Sequence, residues 1–308
     1  MAKQIISVLA GGLGNQLFQY CFALSLSNKL QVPFSLDIYS GFLRDPFKRN
    51  FELQKIVPEC SKVPWMSSLV SILLIKLRSF FDFFSLNTSS YVPGYHELKI
   101  FHLGRYALLS ESSPLSKLNS LPLNCDFLRI SGYWQSPSLF QESQQEILDL
   151  FSSFVPESTY IQDLGRQLRD SETIALGVRV YEETATPELN AFNGQVKPIM
   201  ALNPVISQIL QGRPHCQVAL FCSHRSPLLA QLSLPPDTIF LTGDDLVPSA
   251  QDTLWLMSQC RHHVFLNSSL YWWGAFFSQL NHPMEEQLIF AANNFVNQAC
   301  YLNGWRKF

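Results

Sequence analysis

The stretch VLAGGLGNQLFQYCFALSL, Val8–Leu26, decides how this chain is read. An apolar run, Gln4–Ala10, ends in Gly11-Gly12-Leu13-Gly14, and Asn15-Gln16 then opens a helical segment that reaches Leu30. Glycines at a strand-to-helix turn permit positive φ and let another group come close to the backbone. Amides at the start of a helix add donors to N–H groups that lack an intrahelical acceptor, a combination suited to an anion or a sugar. Val32–Asp37 reads as a second strand, so the chain opens β-α-β.

Two other readings of the turn compete. A dinucleotide site would use Asp37 as its ribose acid, but the third glycine of G-x-G-x-x-G falls at Leu17. Its side chain would hold the helix away from the strand, so the fingerprint is incomplete. A purely conformational role for the glycines leaves Asn15 and Gln16 unexplained.

Working outward, 308 residues suit two domains, and 47% hydrophobic content with 13% aromatics gives a well-filled core. A net charge of −2 lacks the basic field that a nucleic-acid partner requires. Thr173–Arg179, Gln217–Cys222, Thr238–Leu241, His263–Asn267 and Gln287–Phe290 read as short buried strands, with helices at Met200–Gln211, Gln251–Cys260 and Ser269–Leu280. This alternation predicts parallel sheets covered by helices. The expected fold is α/β and GT-B-like, with two Rossmann-type domains, 1–155 and 156–308, facing across a cleft at the carboxyl ends of their strands. Tyr39–Leu123 is irregular apart from an apolar helix at Ser67–Phe84, and Ser136 is expected to cap a helix beginning at Pro137.

Seven cysteines without a C-x-x-C pair read as buried free thiols, and the histidines show no zinc-site spacing. Ile5–Ala10 is too short for a signal-peptide core. Trp65–Ile75 is followed by Lys76, Arg78 and Asp82, too soon for a membrane span. A cytoplasmic protein with at most peripheral membrane contact is expected.

Three blocks, GGLGNQLFQY at Gly11–Tyr20, GYWQSPSLF at Gly132–Phe140 and LMSQCRHHVFLNSSLYWWGAFFS at Leu256–Ser278, resemble in order the α-1,2-fucosyltransferases of glycosyltransferase family 11. The resemblance implies transfer of L-fucose from GDP-β-L-fucose to a galactoside or other glycan hydroxyl, with inversion and no metal or further cofactor. No Asp-x-Asp triplet is present, and the adjacent acids in Thr242–Leu246 read as loop residues.

The resemblance also assigns residues. The family's His-x-Arg-Arg-x-Asp motif corresponds to Leu176–Glu183, where Gly177 replaces the His, Arg179 is kept, Val180 replaces the second Arg and Glu182 stands for the Asp. Arg179 is expected on the β-phosphate of the leaving group, with Glu182 as base and Glu183 its rival. Where the family has Phe-Ser-Asp-Asp this chain has Phe221–Arg225, so that after Ser223 the residues His224 and Arg225 stand where the family has acids that read the nucleoside. They either face the pyrophosphate, leaving guanine to backbone carbonyls or Asp252, or form a solvated loop. Asn267, Ser268 and Ser269 form the expected phosphate cradle. Gly12, Gly14 and Gln16 are expected near the donor sugar and Asn15 at the reaction centre. Trp134 and Gln135 are expected on the acceptor, with strand-end packing as the alternative. At least one of Trp272 and Trp273 reads as core. The rival functions are a non-catalytic glycan- or nucleotide-binding relative and, more distantly, a dinucleotide-dependent oxidoreductase.

Overall fold

The computed structural model describes residues 2–43, 45, 47–84, 98–111, 125–180, 183, 197–243, 249–284, 286–295 and 297–308. The chain divides into two units, Met1–Ile147 and Leu148–Phe308. Each has its own sheet.

The first unit contains β1 (Gln4–Val8), α1 (Leu13–Leu30), β2 (Phe34–Asp37), α2 (Trp65–Phe84), β3 (Leu98–Leu103), β4 (Tyr106–Glu111) and β5 (Phe127–Ser131). Its strands lie in the order β2-β1-β5-β4-β3, parallel except where β3 runs against β4. α1 is buried on nearly every side, as its lack of a polar stripe requires. Its Phe22, Ala23 and Leu26 pack on Ile5, Ala107, Leu109, Leu128 and Ile130 of the sheet. Gln31, in the left-handed region at φ 54°, ends the helix.

Two expectations are corrected in this unit. The span left irregular holds the β3–β4 hairpin, which turns at Gly104 with φ 59°. β4 is buried along Ala107–Ser110 and so lacks the in-out alternation that marks a half-exposed strand. At Pro137 no α-helix begins: two 3-10 turns, Pro137–Leu139 and Gln141–Ser143, precede α3 (Gln144–Ser152). Ser136 caps neither turn, because its hydroxyl is engaged with that of Ser138 at 2.9 Å.

The division between units falls within α3, a few residues before the Phe154–Ser158 boundary read from the sequence. The second unit continues with α4 (Thr159–Asp170), β6 (Thr173–Val178), α5 (Asn203–Gly212), β7 (Gln217–Cys222), β8 (Ile239–Thr242), α6 (Ala250–Gln259), β9 (His262–Phe265), α7 (Ser269–Asn281), β10 (Ile289–Ala291) and β11 (Arg306–Lys307). All the strands are parallel, in the order β11-β10-β9-β6-β7-β8. β6 is buried at every position, as the central strand of a covered sheet must be. The chain builds from β6 outward through β7 to β8, then returns to β9 on the other side of β6. Sheets of this type bind ligands at the carboxyl ends of their strands where the winding reverses, which here is the β6–β9 edge. The two Rossmann-type α/β units of the expected fold class are therefore present. All seven cysteines are free and six are buried, as the spacing predicted.

Candidate functional site

The first candidate edge lies at the carboxyl ends of β1 and β5, which are adjacent and parallel. Gly11 has φ +76°, and a Cβ there would sit 2.6 Å from Asn15 Nδ2. The turn thus needs glycine for both its backbone angle and its space. Gly12 is the N-cap of α1 and offers no side-chain cap. Asn15 Oδ1 accepts a hydrogen bond from Gln135 Nε2 at 2.9 Å, which brings the first and second sequence blocks together across 120 residues.

Gln16, expected near the donor, is fully buried and engaged within the protein. Its Nε2 donates to Gly11 O at 2.9 Å and Asn50 O at 2.8 Å, and its Oε1 accepts from Glu52 N at 2.9 Å. Gln19, which the sequence reading missed, completes this frame. Its Oε1 accepts from Ala10 N and its Nε2 donates to Gly132 O, both at 2.9 Å. The sequence carried only a weak signal of it, a second amide one helical turn after Gln16.

Trp134 is corrected from acceptor contact to core. It is 1% exposed and stacks on Phe22, with ring centroids 4.2 Å apart. Its φ of 55° is costly for a bulky residue and is held by the surrounding turn. Tyr133 N donates to Glu111 Oε2 at 2.6 Å, and Ser136 N donates to Trp134 O at 2.7 Å. The buried ring anchors this turn and leaves half-buried Gln135 directed at Asn15.

The second candidate edge lies at the carboxyl ends of β9, β6 and β7. Arg179 follows β6 and is half-buried, Ser223, His224 and Arg225 follow β7, and Asn267, Ser268 and Ser269 join β9 to α7. Glu182 and Asp244–Asp245 lie outside the described residues. Glu183 is tied by both oxygens: Oε2 is 2.5 Å from His224 Nε2, and Oε1 accepts from the Ser226 hydroxyl. The bonds from Ser226 and then His224 hold its carboxyl below the usual range. His224 Nδ1 lies 3.1 Å from Ser223 Oγ. Asp252 is engaged at the N-terminus of α6, where its Oδ2 accepts from Ser249 Oγ at 2.6 Å and its N–H donates to the same hydroxyl at 3.0 Å.

Ser268 is the N-cap of α7 but makes no side-chain capping bond, whereas Ser158 and Ser249 cap α4 and α6. The positive end of a 13-residue helix is therefore not closed by its own cap hydroxyl. Asn267 Nδ2 donates to Asn294 O at 3.1 Å. Both Trp272 and Trp273 are fully buried, and Trp272 Nε1 donates to Cys300 O at 2.8 Å.

The altered arginine motif has a structural counterpart. A Cβ on Gly177 would lie 2.6 Å from Tyr271 Cδ2 and 2.9 Å from Phe265 Cβ, so a histidine has no room there. Tyr271 occupies that space, and its hydroxyl hydrogen is shared between Val178 O at 2.9 Å and Phe221 O at 3.2 Å. It thereby ties the carboxyl ends of β6 and β7. Gly177→Ala is expected to cost about 1–3 kcal/mol through overpacking, read as a lower urea midpoint at unchanged m-value. Val180, in place of the second arginine, is buried in the core.

Among the described residues, Glu172, Cys216 and His262 bring potential metal-ligand atoms within 4.8 Å of one another. They sit at the amino ends of the strands, the opposite edge from Arg179. His262 Nδ1 accepts from Leu288 N at 3.1 Å, which leaves its proton on Nε2, 3.0 Å from Glu172 Oε1. Arg213 Nη1 is 2.9 Å from the same oxygen, and burial pushes the Cys216 thiol up to about 12. Such a cluster is an internal ion pair rather than a cation site.

No protein-family profile matches the chain. It is 22% identical over 276 residues to an alpha-1,2-colitosyltransferase of Escherichia coli, covering 88% of this chain and 86% of that one. It is 24% identical over 308 residues to the Escherichia coli O-antigen biosynthesis glycosyltransferase WbnK, covering 94% and 95%. Both relatives are glycosyltransferases. Among solved structures, an Arabidopsis thaliana FUT1 mutant in complex with GDP matches at 12% identity and a TM-score of 0.47, covering 90% of this chain and 68% of that one.

Proposed function

We propose that this chain is an inverting glycosyltransferase that moves L-fucose from GDP-β-L-fucose to a hydroxyl of a galactoside-containing glycan, forming an α-1,2 linkage without a metal. One observation carries the reading: residues of the resembling blocks converge on the carboxyl ends of adjacent strands, Asn15 and Gln135 in the first unit, Arg179 and Asn267–Ser269 in the second. Full-length similarity to two glycosyltransferases supports the reaction class. The similarity to a colitosyltransferase favours GDP-colitose as a second candidate donor.

In this reading the bond from the sugar's anomeric carbon to the β-phosphate oxygen breaks as the acceptor oxygen attacks from the opposite face. Negative charge then grows on the departing GDP. The Arg179 fork, the open N-terminus of α7 and the hydroxyls of Ser268 and Ser269 stabilise that charge, with His224 and Arg225 adding positive or donor groups from the β7 end. Glu182 is the proposed base. Glu183 is the poorer one, because both of its oxygens are engaged and its lowered pKa weakens its pull on a hydroxyl proton. Gly12 and Gly14 allow close approach at the turn, while Asn15 and Gln135 orient the acceptor hydroxyl.

The test is GDP release from GDP-fucose and GDP-colitose, with and without galactoside acceptors, in buffer with and without EDTA, followed by NMR of the product linkage. Acceptor-stimulated release that EDTA leaves unchanged is expected. GDP binding without release from either donor would identify a binding protein, and absence of GDP binding would remove the donor assignment.

A further inference from the structure

α2 turns serines as well as the fully buried Leu74 inward. Ser68 and Ser71 are buried against the sheet, and Ser68 Oγ donates to Asp37 Oδ1 at 2.7 Å. Ser67 accepts from Arg129 Nη2 through its carbonyl at 2.9 Å and its hydroxyl at 3.0 Å. Asp37 and Arg129 are themselves buried, so the polar side of the helix is fixed inward by an acid and a base. The outward stripe is apolar: Trp65, Met66, Leu69 and Leu73 are each at least half exposed and recur at the helical repeat, ending at exposed Lys76. Helices on soluble proteins turn their apolar stripe to the core, whereas α2 keeps a second apolar stripe on the outside besides buried Leu74. Asp37 also accepts from the N–H groups of Tyr39 and Ser40, tying to α2 a turn that carries exposed Tyr39 and Leu43.

Charge separates the candidate occupants of this face. Residues 38–84, through the end of α2, hold seven Lys and Arg against four Asp and Glu, whereas the rest of the chain holds fifteen against twenty. Exposed Lys48, Lys55, Lys62 and Lys76 belong to this basic segment. A second copy of the chain would bring two net-positive surfaces face to face, which opposes association. An anionic lipid surface complements the apolar stripe, Lys76 at its end and the basic sequence that leads into the helix. No helix among the described residues is long and apolar enough to cross a membrane, so α2 would lie along the surface.

We infer that the outward face of α2, at the end of the basic 38–84 segment, docks on an anionic lipid bilayer. The probe is flotation with vesicles of phosphatidylcholine alone and of phosphatidylcholine mixed with phosphatidylglycerol. The protein floats with the mixed vesicles, less with phosphatidylcholine alone, and less again at high salt. Leu69→Glu combined with Leu73→Glu lowers binding to mixed vesicles by at least about ten-fold, because it places two charges in the inserted stripe. Both positions are exposed, so circular dichroism and thermal midpoint stay at the native values. Failure of the native protein to float with mixed vesicles, or equal flotation of the double variant, overturns the inference. A dimer in sedimentation velocity that the double variant dissolves would assign the face to a second copy and overturn it equally.

Discussion

Arg179→Ala is expected to lower kcat for GDP-sugar turnover by about 10²- to 10³-fold, the usual cost of removing one donor from a developing negative charge. The reason for so large a loss is local. The neighbouring family positions cannot substitute, because Gly177 is closed off by Tyr271 and Phe265 and Val180 is buried in the core. Arg179 is therefore the cation that the end of β6 supplies among its described residues. Arg179→Lys should recover only part of the rate, since a point charge replaces a planar fork matched to two phosphate oxygens. GDP release and calorimetric GDP affinity, measured together, separate the two effects: kcat falls steeply while GDP still binds, more weakly. A loss below ten-fold for Arg179→Ala, with a large loss for Arg225→Ala, would move the leaving-group role to the loop after β7.

How much of this was legible in the sequence follows from distance along the chain. β1, α1, β2 and the strands of the second unit are short, nearly continuous apolar runs punctuated by polar turns, and local pattern suffices for such elements. The turn glycines could be read for the same reason, sitting where a strand ends, whereas Arg179 was singled out only through the resembling arginine motif. The unread features depend on partners far apart. The space for a histidine at Gly177 is decided by Tyr271, and the buried stacking of Trp134 by Phe22. Gln19 resembles any helical amide until its bond to Gly132 O is seen. The outward apolar face of α2 was equally hidden, because an apolar helix with a few serines gives no sign of which side meets the sheet.

Acid should unfold the second unit from within β9. Its first two residues, His262 and His263, are fully buried. Burial lowers the pKa of both, His263 to about 3, while the bond to Glu172 partly offsets the effect on His262. His263 Nε2 is 3.1 Å from Cys260 O, and its Nδ1 has no partner among the described residues. The folded protein thus holds the neutral rings, whereas the unfolded chain takes up protons near pH 6.5. Stability is fully present above that value and is lost as the pH falls below it, down to about 3 for His263, at up to about 1.4 kcal/mol per pH unit for each histidine. The carboxyls of Glu172 and Glu183, held below their usual range, add their own loss as the pH falls through the ordinary carboxylate range, beginning at about pH 5. Urea midpoints between about pH 7.5 and pH 5 read chiefly the histidine window. His263→Gln, which keeps an N–H for Cys260 O but cannot titrate, should flatten that slope by about one proton. A native slope already flat across this window would show that the rings do not hold the fold. Because β9 pairs with β6 and leads directly into Asn267–Ser269, any acid loss of activity in this range should coincide with unfolding rather than with titration of the proposed base.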